Sequence, residues 1–205
     1  MRFPIVPVDD LMGEVFTPQD FECLAFNIQR QVRERIVPGP LRVVELGTWS
    51  GQSTLAIART HVLVHCLSSW HSGSAQNSPE KFQWVSDRLG DGDWDGADSP
   101  AFRQFLKNTN EMVFRTAMPC PCDPYDAAFW WTEKLDAIFI NNDINATALA
   151  TLIHPWVKHV RSGGIIYGVY KDHTVSALTG LGSYTLSGTI WRLRVAKESV
   201  DAMGA

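Results

Sequence analysis

The alternation of apolar and polar positions divides the chain into short elements of two kinds. Phe21, Leu24, Ala25, Ile28, Val32 and Ile36 recur at helical spacing. Thr17, Pro18 and Asp20 before them supply an N-cap, a first-turn proline and a first-turn acid, so a helix is predicted from there to the Pro38-Gly39-Pro40 stop. Leu41 to Val44 is an apolar run of strand length that ends in Glu45, followed by Gly47 and Gly51 and then a helical pattern over 51–60. Val62 to Leu67 predicts a second strand, which makes the unit β-α-β. Further on, helices are predicted over 101–108, 125–131 and 146–153, with a bend or restart at Pro155. Strands are predicted over 112–115, 135–140 and 165–168, the last entered through a Ser162-Gly163-Gly164 turn. Asp172 caps a predicted helix ending near Gly180. Strands near 184–186 and 190–195, separated by Ser187-Gly188, read as a hairpin. Strands alternating with helices and closing on a hairpin imply a mostly parallel sheet with an antiparallel strand at the C-terminal end.

Two stretches lack this patterning. Residues 1–16 carry Pro4 and Pro7 and no period, and are expected to form an irregular arm. Residues 71–100 are rich in Gly, Ser, Asp and Asn, with one short helix expected over 81–89. A connection that long inside a domain implies a lid or a contact surface.

Composition narrows the classes. A chain of 205 residues with 45% apolar and 20% charged positions is expected to be one domain, 1–205, with a full core. A net charge of −4 gives no basic footprint for nucleic acid. No apolar run reaches the ~20 residues of a membrane helix, and no signal-peptide pattern opens the chain, so a cytoplasmic address is expected. The four cysteines, Cys23, Cys66, Cys120 and Cys122, lack a metal or disulfide spacing and read as reduced thiols.

The chemistry concentrates at 41–54. A strand, a glycine turn and a helix start place backbone N–H groups at the carboxyl end of the sheet, where ligands of open α/β folds bind. The stretch Glu45-Leu46-Gly47-Thr48-Trp49-Ser50-Gly51-Gln52-Ser53 resembles the first motif of class I S-adenosylmethionine-dependent methyltransferases, acid-x-Gly-x-x-x-Gly. It differs in glycine spacing from the Gly-x-Gly-x-x-Gly of nicotinamide enzymes. Residues 135–140 are similar to the family's fourth strand, 156–168 to its following helix, Gly-Gly turn and fifth strand, and 190–193 to its last strand. The likeness is closest to small bacterial-type members acting on sugars or other small molecules. It implies a Rossmann-like α/β fold, a seven-stranded sheet flanked by helices. It also implies S-adenosylmethionine as cofactor, with Glu45, Gly47, Thr48, Trp49, Gly51, Ser53, Ser68, Trp70 and Asn141 around it.

Three places along the chain depart from that family's pattern. Ser68, with Ser69 beside it, stands where an acid binds the ribose hydroxyls; Asn141 and Ile144 stand where the subgroup has Asp and His; Val169 and Tyr170 stand where it has His and Asp. Two functions follow. One is a methyltransferase acting on a small-molecule or sugar oxygen. The other is a catalytically inactive member of the fold that binds or assembles with a protein partner. Self-association is compatible with both.

Individual residues keep two readings each. Glu45 is a ligand contact or the cap of a turn, and Trp70 an adenine platform or a core residue. His71, Asp143 and His173 are weak catalytic candidates: His71 as a base, Asp143 as a displaced acid, His173 with Asp172 as displaced versions of the missing His-Asp. Their plain readings are a solvated loop histidine, a helix cap and loop residues. Asp91, Asp93 and Asp95 match the first positions of a calcium loop, but Phe102 stands where its closing Glu belongs. No metal is expected.

Overall fold

The computed structural model describes residues 18–34, 39–70, 99–110, 115–141, 146–169 and 183–195. Their elements are α1 (Pro18–Glu34), β1 (Arg42–Leu46), α2 (Gln52–Ala58), β2 (Leu63–Ser68), α3 (Pro100–Thr109), β3 (Ala117–Pro121), α4 (Pro124–Trp130), β4 (Leu135–Ile140), α5 (Ala146–Val157), β5 (Val160–Val169), β6 (Tyr184–Ser187) and β7 (Ile190–Arg194). The strands form one seven-stranded sheet in the order β3-β2-β1-β4-β5-β7-β6. The first five are parallel, while β7 runs antiparallel to both β5 and β6. This is the Rossmann-like α/β architecture expected from the sequence.

Both faces are covered, so the central strands read as continuous apolar runs. Side chains of α1, α2 and α3, among them Leu24, Ile28, Ile57 and Phe105, pack on Val43, Val64 and Phe139. On the opposite face Ala127, Ala128, Leu149, Ile153 and Trp156 of α4 and α5 pack on Val44, Leu46, Leu67 and Ile138. Strand order reverses at β1, which has β2 on one side and β4 on the other. The carboxyl ends of these three strands therefore flank a topological switch point.

Three local expectations change. The third strand is β3, Ala117–Pro121, and Arg115 lies in a turn before it; residues 112–114 lie outside the described residues. Pro119 and Pro121 argue against a strand in the sequence, yet among the described residues β3 pairs only with β2. Cys122 N–H donates to Ser68 O at 3.0 Å. In a parallel strand alternate N–H groups share a side, so the two prolines point away from β2 and cost no ladder bond. Helix α5 runs through Pro155 without restarting; Thr151, whose carbonyl loses its helical donor there, is exposed. Gly163 and Gly164 lie inside β5 rather than before it. Val160 pairs with Leu135 and Ile165 with Ala137, so the residues between form a bulge. At Gly164 a Cβ would meet Val160 Cγ1 at 2.5 Å, so only glycine fits.

The arm 1–16, the stretch 71–98 and the predicted helix after Asp172 lie outside the described residues.

Candidate functional site

The glycine turn begins where β1 ends. Gly47 takes φ +86 and Gly51 φ +91, left-handed values that side-chain-bearing residues avoid. Gly47 and Thr48 N–H both donate to Leu67 O, at 2.9 and 3.2 Å, which ties the turn to the end of β2. The two glycines serve different ends. Gly47 is part-exposed, as backbone approached by a ligand must be. Gly51 is buried, and a Cβ on it would stand 2.6 Å from Thr109 Cγ2 and 2.9 Å from Phe105 Cδ2. Gly51 therefore admits α3 against the turn, a packing role that the motif alone does not reveal.

Glu45 is wholly buried between Cys66 and Phe139 on the neighbouring strands. Its Oε1 accepts from Ser53 Oγ and, at 3.0 Å, from Asn141 Nδ2; its Oε2 accepts from Thr54 Oγ1 at 2.5 Å. Asn141 Nδ2 also donates to Ser53 Oγ at 2.8 Å, and Asn141 N–H to Leu46 O at 2.9 Å. The carboxylate thus joins β1, the first turn of α2 and the end of β4. An amide at 141 suits this arrangement, because it donates where an aspartate would set a second negative charge against Glu45. Thr54 and Gln52 belong to the site although sequence reasoning did not single them out. The available signal was a helix whose first turn is polar, Gln52-Ser53-Thr54, and whose remainder, Leu55 to Ala58, is apolar.

Other expected residues gather at the same end of the sheet. Ser68 Oγ accepts from Trp70 N–H at 3.3 Å, so this hydroxyl is engaged in closing the strand end. Trp70 takes a left-handed backbone, φ +47, and is fully buried. Its Nε1 donates to Trp49 O at 3.1 Å, and its ring lies 4.8 Å from Phe102 and 5.1 Å from Phe105. Trp70 therefore belongs to the core under α3, and in this arrangement it offers no open face to an adenine. Trp49 is buried in the same cluster.

Thr48 Oγ1 and Gln52 Nε2 are buried and have no hydrogen-bond partner among the described residues. An unmade hydrogen bond on a buried polar group costs ~1–3 kcal/mol. These two atoms are hydrogen-bonding capacity left unused next to the part-exposed Gly47.

His71, Asp143 and His173, and also Asp91, Asp93 and Asp95, lie outside the described residues, as do Ile144 and Tyr170. Among the described residues no group of three His, Cys, Asp or Glu side chains could hold a metal ion. No helix among them is long and apolar enough to cross a membrane.

The seven-stranded order and the turn beyond β1 have counterparts among solved structures. The O-methyltransferase NovP superposes with a TM-score of 0.58 at 15% identity, over 85% of this chain and 80% of that one. This is the class I methyltransferase fold. SAH-bound methyltransferase PaMTH1 of Podospora anserina gives 0.55 at 15% identity, over 96% of this chain and 83% of its own. An O-methyltransferase from Bacillus cereus, in complex with SAH, gives 0.52 at 18% identity, over 90% of this chain and 84% of its own. No protein-family model and no curated protein matches the sequence. In the methyltransferase fold the turn at Gly47 sits at the switch point, with the Glu45 network directly beneath it.

Proposed function

We propose that the protein binds S-adenosylmethionine at the Gly47 turn and transfers its methyl group to an oxygen of a small molecule or sugar. The observation that carries this reading is the pair of unsatisfied buried atoms, Thr48 Oγ1 and Gln52 Nε2, at a part-exposed turn of a methyltransferase fold. Several structures sharing that fold are O-methyltransferases, one of them with SAH and one with SAM bound, and a further methyltransferase holds SAH.

The residues present fit such a cofactor at its amino-acid end. A carboxylate and an ammonium can accept from, and donate to, the groups at Thr48 and Gln52. The fit is weaker at the ribose end, where Ser68 brings no charge and its hydroxyl already accepts from Trp70 N–H. When bound, S-adenosylmethionine supplies a methyl group on a positively charged sulfur, so the chain's contribution is mainly placement in line with the acceptor. Glu45 holds the turn rigid through Ser53, Thr54 and Asn141. It is a positioning residue.

Two observations favour the second reading, a non-catalytic binding protein. The acid of the motif is enclosed by its own chain, and the acid of the second strand is absent. Calorimetric titration with S-adenosylhomocysteine separates the two. Wild type should bind weakly, and Ser68→Asp, which restores a bidentate acceptor at the end of β2, should bind at least ~10-fold more tightly. No heat from either folded protein at millimolar ligand would sink the cofactor reading and favour the binding protein.

A further inference from the structure

The outer face of α4 has a composition that its packing does not require. The inner face approaches the sheet through Ala127 and Ala128, both fully buried. It is fastened by Trp156 Nε1, which donates to Pro124 O at 2.8 Å, and by His159 Nε2, 2.8 Å from Ala128 O. The outer face carries Tyr125, Phe129 and Trp130, exposed by 40%, 61% and 57%. Tyr125 and Phe129 meet edge to face at 5.2 Å, so the aromatic surface is held in place before any partner arrives. Three large aromatic side chains on a seven-residue helix thus leave much of their surface in water. Such residues are enriched at interface centres.

Charge flanks this surface in a definite order. Exposed Asp126 lies toward the N-terminal side. On the far side, Lys158 Nζ stands over the Phe129 ring at 5.9 Å, and exposed Lys134 Nζ donates to Lys158 O at 2.9 Å. Glu133 does not cancel these cations, because it is paired with Arg42 at 2.8 Å. From Asp126 onward the order along the chain is acid, then Phe129 and Trp130, then Lys134, with Lys158 beside the Phe129 ring. A surface so ordered is complementary to itself when turned about a two-fold axis through the aromatics. Each acid then faces the other copy's cations.

We propose that α4 is the centre of a two-fold contact with a second copy of this chain, helices antiparallel, Phe129 and Trp130 packed across the axis and Asp126 opposite the partner's Lys134 and Lys158. The contact is independent of any ligand at the Gly47 turn, since it is built from the outer face of a helix whose inner face covers the sheet.

Sedimentation equilibrium of the full chain over rising concentration tests it. A dimer is expected. Phe129→Ser with Trp130→Ser should raise its dissociation constant at least ~30-fold, the loss typical of truncating a central aromatic anchor. Asp126→Lys alone and Lys134→Glu alone should each weaken the dimer, and the two together should recover part of the loss, because the 126–134 pairing is then reversed in sign while Lys158 is unchanged. These positions are exposed, and far-UV circular dichroism should be unchanged. A wild-type protein that stays monomeric to about 100 µM overturns the proposal. So does a dimer indifferent to the aromatic substitutions, or a double charge variant as weak as either single one. Monomeric protein that sediments with anionic vesicles would assign the surface to lipid instead and equally overturn it.

Discussion

Replacing Thr48 by valine should make the protein more stable and a poorer binder. The side chain is wholly buried, and its hydroxyl has no partner among the described residues. Valine keeps the branched shape and exchanges the unpaired hydroxyl for a methyl group. Leaving a buried polar group unsatisfied costs ~1–3 kcal/mol. Some of the gain goes to accommodating the methyl hydrogens, so about 1 kcal/mol of added stability is expected. For a chain of this size that corresponds to a rise of about 2–4 °C in the melting midpoint. The same hydroxyl, if it meets a charged end of the ligand, contributes ~1.5 kcal/mol to binding, so the affinity for S-adenosylhomocysteine should fall about 10-fold. Urea unfolding and calorimetric titration measure the two effects on one preparation. Thr48→Ser is the control in the opposite sense. It keeps the hydroxyl and loses one buried methyl, costing ~0.8 kcal/mol of stability with little loss of binding. If Thr48→Val is destabilised by more than about 1 kcal/mol, or is stabilised but binds as wild type does, Thr48 is not an unsatisfied ligand group and the reasoning fails.

Two further outcomes follow from the geometry. Gly51→Ala should lose about 2–4 kcal/mol in urea unfolding, because φ +91 disfavours a Cβ and Thr109 and Phe105 already occupy its space. Thr109→Ser should return only part of that loss, since it relieves the Thr109 contact and neither the Phe105 contact nor the backbone. Burial lowers the pKa of His65 and of His159 below the ordinary 6.5, so both are held neutral in the fold. Protons then bind the unfolded chain first as pH falls. Stability contributed by these groups is present above 6.5 and is lost as pH drops through their folded values. The melting midpoint should decline as pH falls below 6.5. His65→Phe should flatten part of the decline while keeping the ring contact with Trp131. A midpoint constant over that range would refute the assignment.

The strands that lie inside the sheet are those whose positions the apolar pattern marks best. Leu135 to Ile140 is buried at every position and is a strand with the bounds its hydrophobic run suggests. The hairpin around Gly188 is equally local, since a φ of +61 there is what Ser187-Gly188-Thr189 encodes. By contrast, β3 escapes the pattern because Pro119 and Pro121 are acceptable only at a sheet edge, and being at the edge is a property of topology. The bulge at Gly163 and Gly164 escapes it too, because the contacts that leave no room for a Cβ at 164 include the carbonyl of Asp136 on the neighbouring strand.

The same division runs through the site. A glycine turn after the first strand, with an acid before it and a polar first helical turn after it, is written in residues 45–54 and needs no tertiary information, because turn chemistry and helix starts are local. Whether Glu45 faces a ligand or the interior depended on Asn141, 96 residues away, whose amide reaches it only once β4 lies beside β1. Trp70 became a core residue because Phe102 and Phe105 of a separate helix close over it. Gly51 proved essential for packing because Thr109 fills the space beside it. Periodicity along the chain reports which face of an element is buried. The identity of the side chain that buries it is decided by the assembled sheet, where partners distant in sequence satisfy, or leave unsatisfied, each buried polar atom.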